Sequence, residues 1–367
     1  MLQQIRRAKY LNLLKNPLDL IRTKKVLQVN PTIEATRKEP EHIKIFVYDY
    51  NNGEVKEQEV KNIEDCYKYL ESVKVSWINI DGLRKVEIEN ICNHFGIHPL
   101  IAEDILSFSQ RPKMDEVNGL LFCLLNMLYF NEQYNSVESE QISIVLGKNF
   151  VISFQEDATK DVFNPLRDKL KVTGSKLRQS GADYLFYSLI DMIVDNYFLV
   201  MEKLGEKIEV LEEEITRFAD TRSLSKINIF RKEMIVLKRN ISPVRELING
   251  ILRSESSLIE DVTEKYFKDV YDHIVQANEL AENYRDMMIN LQDLYLSNVN
   301  LKMNEVMKVM AVVTCLLAPA TVIGGIFGMN FEKVPWLHNQ YGFFIAVGLM
   351  LIIPIWMILM FRRKGWF

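Results

Sequence analysis

Two long runs without a charged residue, both near the carboxyl end, constrain this chain more than any other feature. Residues 309–331 and 341–361 contain no Asp, Glu, Lys or Arg. As a helix, each run is long enough to cross the roughly 30 Å of hydrocarbon in a bilayer. A buried helix of a soluble protein could account for one such run, but two in succession indicate membrane spans. We therefore predict a membrane protein with two transmembrane helices per subunit.

Basic residues flank the two runs on their outer sides: Lys302, Lys308, Arg362, Arg363 and Lys364. The segment between the runs carries one acid, Glu332, and one base, Lys333. Because cytoplasmic segments carry the excess of Lys and Arg, we expect the large N-terminal part and the C-terminal tail in the cytoplasm. The prediction is a multi-pass protein of the cell inner membrane with both termini cytoplasmic.

The first 308 residues are densely charged and divide into four predicted parts, two of which precede the long helices. Residues 1–40 form a basic N-terminal extension that lacks the apolar stretch of a secretory signal, with a mitochondrial transit peptide as the open alternative. Residues 41–180 are predicted to form a cytosolic α/β domain. Its expected elements are strands over 42–50, 54–60, 75–80, 120–130 and 141–154, the last interrupted at 147–149, and a helix over 83–95.

Helical periodicity dominates the rest of the chain. We predict a helical hairpin over 181–253, broken near 219–225, in which Pro243 bends the second helix or lies near a turn. The remaining expected segments are a stalk helix over 254–308, a first transmembrane helix over 309–328, an external loop over 329–340, a second transmembrane helix over 341–361 and a basic cytosolic tail over 362–367.

Several function classes lack their sequence signals. The chain has no phosphate-binding G-x-x-x-x-G-K-[ST] loop, no dinucleotide fingerprint after a strand and no H-E-x-x-H pair. The net charge of -4 gives no sign of a nucleic-acid partner. The four cysteines, at 66, 92, 123 and 315, form no C-x-x-C pair, so a disulfide framework or zinc cluster is not expected. We predict no enzyme activity, no organic cofactor and no nucleic acid.

One helical stripe runs into the first span and carries mostly small or weakly polar residues at three- and four-residue steps. Its members are Asn304, Met307, Ala311 with Met310 beside it, Thr314, Ala318, Thr321 and Gly325. Such a stripe serves either close helix packing or a pore lining, and the pattern alone does not decide. Since two helices cannot enclose a channel, a pore requires an oligomer and membrane lipid around it. Mg²⁺ keeps several of its waters, so side-chain oxygens could guide it without a charged ligand, while the methionines would form apolar constrictions.

Gly328-Met329-Asn330 lies directly after the first span. This tripeptide at this place is the signature of the CorA family of magnesium transporters, which the chain resembles over about residues 42–367. Further similar segments are 96–100, 103–106, 110–113, 187–191, 194–198, 269–273 and 304–309. The resemblance implies a funnel-shaped homopentamer in which the first span lines the pore. It also implies that Gly328, Met329 and Asn330 capture a hydrated cation at the pore mouth.

The same resemblance implies regulation by cytosolic Mg²⁺ bound between subunits. Matched motif by motif, the ligands are Asp104 and Asp269 of the next subunit, with Glu103 and Asp272 as less certain candidates. A divalent ion would bridge carboxylates that otherwise repel each other. The expected function is passive Mg²⁺ influx down the membrane potential, closed when internal Mg²⁺ fills these sites.

Three positions depart from the family pattern. Phe327 stands where a tyrosine is commoner, Glu332 is the single loop carboxylate, and Ala318 occupies a place where a bulkier residue often narrows the pore. The alternatives that stay open are Co²⁺ or Ni²⁺ influx, Zn²⁺ transport by the same architecture, and a membrane-tethered scaffold. Met329 argues against the zinc-transporting branch, which carries a different middle residue.

Overall fold

The protein is described here by a computed structural model, which covers residue 40 and residues 43–107, 110–157, 161–217, 220–329 and 340–366. Residues 1–39 of the predicted N-terminal extension, Asn330 and Glu332 lie outside the described residues. The chain divides into two compact units. The first comprises the described parts of Met1–Leu211 and Ser225–Ile289, and the second those of Glu212–Leu224 and Asn290–Phe367.

The first unit contains a mixed seven-stranded sheet. Its strands, in chain order, are β1 (Lys44–Tyr50), β2 (Val55–Val60), β3 (Val75–Asp81), β4 (Lys113–Val117), β5 (Leu120–Asn131), β6 (Ser136–Leu146) and β7 (Phe150–Gln155). The spatial order is β2-β1-β3-β7-β6-β5-β4. Among these strands β3 and β7 form the parallel pair, and every other neighbouring pair is antiparallel.

The sheet core forms where strands meet the first helical segments. These are a 3-10 helix (Ile63–Tyr69), α1 (Lys85–His94) and α2 (Pro99–Leu106). Ile88, Ile91 and Ile105 of the two α-helices are fully buried against Ile78 and Ile80 of β3. The predicted strands and the helix over 83–95 are present. The sequence pattern did not indicate β4, the 3-10 helix, α2, or the helices α3 (Asn164–Lys171) and α4 (Lys176–Gln179).

Two long helices follow, α5 (Ala182–Arg217) and α6 (Thr221–Arg253). Both are joined to β5: the Tyr197 hydroxyl donates to the carbonyl of Asn126 at 2.7 Å, and the Asn126 amide donates to the Asn240 side chain at 2.9 Å. Buried polar groups need such partners, so these bonds fix the helices against the strand. Helix α6 contains Pro243 without interruption, so the turn considered for that position is not found.

The last two helices are α7 (Asp261–Phe327), of 67 residues, and α8 (Gly342–Arg363), of 22 residues. Three described helices, α5, α7 and α8, are long and apolar enough to cross a membrane. The apolar window of α5 is 61% buried within the protein, whereas those of α7 and α8 are each 6% buried. Core packing accounts for the apolar residues of α5, but it does not account for those of α7 and α8.

Candidate functional site

Helix α2 carries two of the predicted regulatory acids, and its start is fixed locally. The His98 Nδ1 accepts the backbone N–H of Leu100 at 3.2 Å, and Pro99 occupies the first helical position, where no N–H is needed. One helix turn later Glu103 is exposed and Asp104 is half-buried. The Lys113 ammonium of β4 donates a hydrogen bond to the Asp104 carboxylate at 2.5 Å. A cation that binds Asp104 would therefore compete with Lys113 for this carboxylate.

The structure brings together three other metal-ligating side chains in the first unit. Asp191 and Asp195 lie one turn apart on α5, and His273 lies on α7. Their ligand atoms all lie within 4.8 Å of one another. His273 follows Asp269 by one turn, so the two residues share a face of α7. We refer to Asp191, Asp195 and His273 as the acid–histidine cluster.

The electrostatics of this cluster favour a cation. Burial, then the charge of Asp195, and to a smaller extent that of Asp269, raise the pKa of Asp191. The Tyr187 hydroxyl donates to an Asp191 carboxylate oxygen at 3.1 Å and partly offsets this effect. The His273 Nδ1 is buried without a hydrogen-bond partner and lies 3.5 Å from an Asp195 oxygen. A divalent cation would relieve the repulsion between the carboxylates and give the cluster a shared partner.

The spacing suits an ion that is bound partly through water. Mg²⁺ needs ligands at about 2.0–2.1 Å and usually keeps several waters, which can fill the distance between the side chains. The imidazole nitrogen adds affinity for Co²⁺, Ni²⁺ or Zn²⁺ over Mg²⁺. Of the predicted ligands, Asp269 lies close enough to act on Asp191, while the exposed Asp272 and Glu103 are not in the cluster.

Sequence reasoning did not identify Asp191, Asp195 and His273 as candidate ligands. All three lie in segments that carry the family resemblance, but their roles were not assigned. The four-residue spacing of Asp191 and Asp195 places them on one helix face, and Asp269 and His273 repeat that spacing. These two matched pairs were the available signal. The contact between the pairs is a tertiary feature that no local pattern contains.

The predicted pore stripe lies on the outside of a single chain. Asn304, Met307, Met310, Thr314, Ala318 and Thr321 are all exposed. The Thr314 hydroxyl donates to the carbonyl of Met310 at 2.8 Å, and the Thr321 hydroxyl donates to that of Leu317 at 3.0 Å. Each hydroxyl has one proton, so these bonds leave the oxygen lone pairs as acceptors toward the surface. Waters around a cation turn their hydrogens outward, and such acceptors fit them.

A neighbouring face of α7, which shares Ala318 with the stripe, packs toward α8. An apolar cleft of about 440 Å³ lies between the helices, lined by Cys315, Ala318, Pro319, Val322 and Ile323 of α7 and by Ile353 and Met357 of α8. Ala318, a predicted pore-lining residue at a place where the family often has a bulkier one, borders this cleft in the single chain. The side chain of Ala318 therefore lies between the exposed threonines and the second helix.

Helix α7 ends directly before the tripeptide. The Gly328 N–H donates to the carbonyl of Gly324 at 2.9 Å, and the Met329 N–H donates to that of Ile326 at 3.3 Å. A β-carbon at position 328 would lie 3.1 Å from the Gly324 oxygen, so glycine permits this close approach. Asn330 and Glu332, the predicted capture and loop residues, lie outside the described residues.

Taken together, these features define a class of protein. A mixed sheet with helices carries a candidate divalent cation site, and two further apolar helical segments are exposed over a length that spans a bilayer. These are features of a membrane protein whose first unit carries a candidate cation site.

Comparison with known proteins narrows the class. Residues 72–363 match the family model described as CorA-like Mg²⁺ transporter protein. The chain is 37% identical, over 91% of its length and 95% of the relative, to the cobalt/magnesium transport protein CorA of Thermotoga maritima. It is 31% identical, over 79% of its length and 89% of the relative, to the putative metal ion transporter YfjQ of Bacillus subtilis. The chain belongs to the CorA family and is a divalent cation transporter.

Solved structures show the same fold. The CorA magnesium transporter of Methanocaldococcus jannaschii superposes with a TM-score of 0.71 at 22% identity, covering 88% of this chain and 98% of that one. The full-length CmaX protein superposes with a TM-score of 0.66 at 17% identity, covering 89% of this chain and all of that one. The predicted family resemblance is confirmed.

Proposed function

We propose that the protein is a passive Mg²⁺ channel of the cell inner membrane, assembled as a homopentamer and closed by cytosolic Mg²⁺ bound between subunits. In this proposal the N- and C-termini are cytoplasmic, α7 and α8 are the two transmembrane helices, and lipid surrounds the assembly. The inside-negative potential drives entry, worth about 4.6 kcal/mol for a divalent ion at 100 mV.

One observation carries the proposal. The uninterrupted helix α7 contains Asp269 and His273 near its start and the exposed, uncharged segment at its end. One continuous helix therefore carries both a candidate cation sensor and a candidate pore wall. In the proposal, a cation bound near the start of the helix favours one of two arrangements of the segment at its end, which is a gating element of the kind that regulation requires.

The pore chemistry proposed for α7 uses neutral oxygens. Asn304, Thr314 and Thr321 hydrogen-bond the waters of the ion, and Met307 and Met310 form apolar constrictions that close by dewetting. At the outer mouth, five copies of Asn330 with the backbone of Gly328 and Met329 hold the hydrated ion, and Glu332 adds negative charge nearby. Partial charges suffice there because the ion keeps its water shell.

The proposed sensor combines residues from neighbouring subunits. Asp104, released from Lys113, faces Asp269 of the next subunit, while Glu103 and Asp272 add charge around the ion. The acid–histidine cluster supports this assignment because it already places two carboxylates and an imidazole beside Asp269. Loss of the ion leaves like charges facing each other, which favours the open state.

The decisive experiment is Mg²⁺ flux through purified protein in liposomes with an inside-negative potential. The Asn330→Ala variant is expected to abolish flux while the pentamer persists, and Asn339→Ala in the same external segment serves as the matched control. Normal flux in Asn330→Ala would remove the capture ring. The Asp269→Lys variant is expected to lose inhibition by internal Mg²⁺, with Asp286→Lys on the same helix as control; retained inhibition would move the sensor elsewhere.

Co²⁺ and Ni²⁺ are the second candidate ions. At the proposed sensor, His273 supplies a nitrogen ligand that these two ions bind better than Mg²⁺ does. The relative from T. maritima is named for both cobalt and magnesium. Flux of Co²⁺, Ni²⁺ and Zn²⁺ measured beside that of Mg²⁺ distinguishes the physiological ion, and a protein that passes none of them would be a membrane-tethered scaffold.

A further inference from the structure

The carboxyl end of α8 is a folded cap. Gly365 adopts φ +69, the left-handed conformation that glycine tolerates best. The Trp366 N–H donates to the carbonyl of Phe361 at 3.0 Å, and the Gly365 N–H donates to that of Arg362 at 3.1 Å. These two bonds form a Schellman motif. The Trp366 ring stacks on that of Phe361, with centroids 5.2 Å apart and planes 9° apart, which is the apolar contact that accompanies this motif.

Helix α7 is tied to the cap by one bond. The Lys308 ammonium donates to the carbonyl of Gly365 at 3.3 Å. Lys308 is half-buried and lies directly before the uncharged segment of α7, while the cap directly follows the apolar segment of α8. Lys308 and the basic end of α8 therefore lie beside each other, and both belong to the second unit.

Positive charge is concentrated around the cap and Lys308. Arg362, Arg363 and Lys364 are exposed around the cap, and Lys308 lies beside them. The nearest acid along α7 is Glu305, which is exposed one turn before Lys308. The Schellman bonds satisfy carbonyls at the helix end, so the local charge is that of the basic side chains rather than of exposed carbonyl groups.

We propose that this basic cap binds the phosphate-bearing headgroup of an anionic phospholipid. The proposal rests on the membrane spans of the proposed function. Arg362 and Arg363 can bind a phosphodiester through paired N–H groups, and Lys308 and Lys364 contribute point charges. Trp366, stacked on Phe361, is an amphipathic ring of the kind found at headgroup level. A free phosphate would use the basic groups alone, whereas a lipid also contacts this apolar stack, so the lipid is the better fit.

The test measures lipid selectivity rather than transport. Full-length protein is reconstituted in phosphatidylcholine bilayers containing spin-labelled phosphatidylglycerol or spin-labelled phosphatidylcholine, and the relative association constant of the two probes is determined. The wild type is expected to prefer phosphatidylglycerol. Since each basic residue near an anionic headgroup contributes roughly fivefold, the Arg362→Gln/Arg363→Gln/Lys364→Gln variant should lose most of the preference. Lys207→Gln, on α5, is the control and should keep it.

The Gly365→Ala variant separates the cap from its charge. A β-carbon strains the left-handed residue while every basic side chain remains, so the preference for phosphatidylglycerol should fall at least about twofold. An unchanged preference there would show that charge acts without the folded cap and would overturn the site. An unchanged preference in the triple variant would overturn it as well. The immobilised fraction of labelled phosphatidylcholine must stay constant, which verifies that each variant is still embedded.

Inorganic phosphate distinguishes the source of the ligand. At constant ionic strength, replacing chloride by phosphate should leave the preference for phosphatidylglycerol unchanged. If phosphate removes the preference, the cap is a general anion site and the lipid assignment is wrong. A protein that shows the lipid preference but conducts no Mg²⁺ would refute the proposed function alone, and a conducting protein without the preference would refute the lipid site alone.

Discussion

The Asp191→Asn substitution should change the stability of the protein in opposite directions with and without Mg²⁺. The ligand atoms of Asp191 and Asp195 lie within 4.8 Å of each other. Two unit charges at that distance repel by about 3.5 kcal/mol at an effective dielectric constant of 20. The Asp195 side chain is 56% exposed, so solvent screening reduces the repulsion to about 1 kcal/mol. An amide keeps the acceptor oxygen that Tyr187 bonds and removes the charge.

In chelator the variant should therefore unfold about 2 °C above the wild type. In Mg²⁺ the wild type should be the more stable protein. At 100 times the dissociation constant, ion binding adds about 2.7 kcal/mol to its free energy of unfolding, and the variant gains less because it lacks one ligand. The assay is thermal unfolding of the full-length protein in detergent, followed by circular dichroism. Asp286→Asn, an exposed acid on α7, is the control and should respond equally in both conditions. If Asp191→Asn is less stable by the same amount in chelator and in Mg²⁺, its carboxylate is a structural acceptor and not a ligand.

Three further predictions concern other parts of the chain. Burial and the neighbouring Asp161 raise the pKa of Asp81 above its ordinary 3.8. The folded state therefore binds this proton more tightly than the unfolded state, and the free energy of unfolding falls as pH rises above 3.8. Asp81→Asn should flatten that pH dependence in urea titrations, and equal slopes for both proteins would contradict the argument. The double variant Thr314→Val/Thr321→Val should reduce Mg²⁺ flux about fivefold, because it removes two acceptor oxygens. The control Thr216→Val on α5, where the hydroxyl also donates to a carbonyl one turn earlier, should leave flux unchanged. Gly205→Ala should lower the free energy of unfolding by about 1–3 kcal/mol, because the new β-carbon would lie 2.9 Å from Tyr284 Cζ. Gly250→Ala should lower it less in the same unfolding assay, because its β-carbon would meet the flexible end of Met114 at 3.4 Å.

The sequence was informative where one face of an element is buried along its whole length. Strand β3 is almost entirely buried, and its run of Val, Trp and Ile predicted it directly. The long helices followed from apolar residues at three- and four-residue steps. Helix α6 ends at Arg253, but α7 begins at Asp261 and not at residue 254, where the stalk helix was expected, because polar residues interrupt the pattern between them. The position of Gly328-Met329-Asn330 after an uncharged run then predicted the family, which is confirmed.

The elements that escaped prediction lack such a pattern. Strand β4 is only partly buried at nearly every position, so its residues show no alternation between apolar and polar side chains. The 3-10 helix (Ile63–Tyr69) is too short for a periodic signal. The acid–histidine cluster depends on α5 meeting α7, which are separated in the chain by α6. Local spacing could indicate which faces carry ligands, but only the packed structure shows that two faces meet.

The burial of the cysteines has a practical consequence. Cys66, Cys92 and Cys123 are buried, and burial raises the pKa of the first two thiols to about 12 and that of the third well above its ordinary value. Cys315, beside the cleft between α7 and α8, is exposed. A membrane-permeant thiol reagent should therefore attach a paramagnetic probe at one position of the unmodified polypeptide. Pulsed dipolar spectroscopy would then count the copies around a symmetry axis, since a regular pentamer gives two interprobe separations where a trimer gives one.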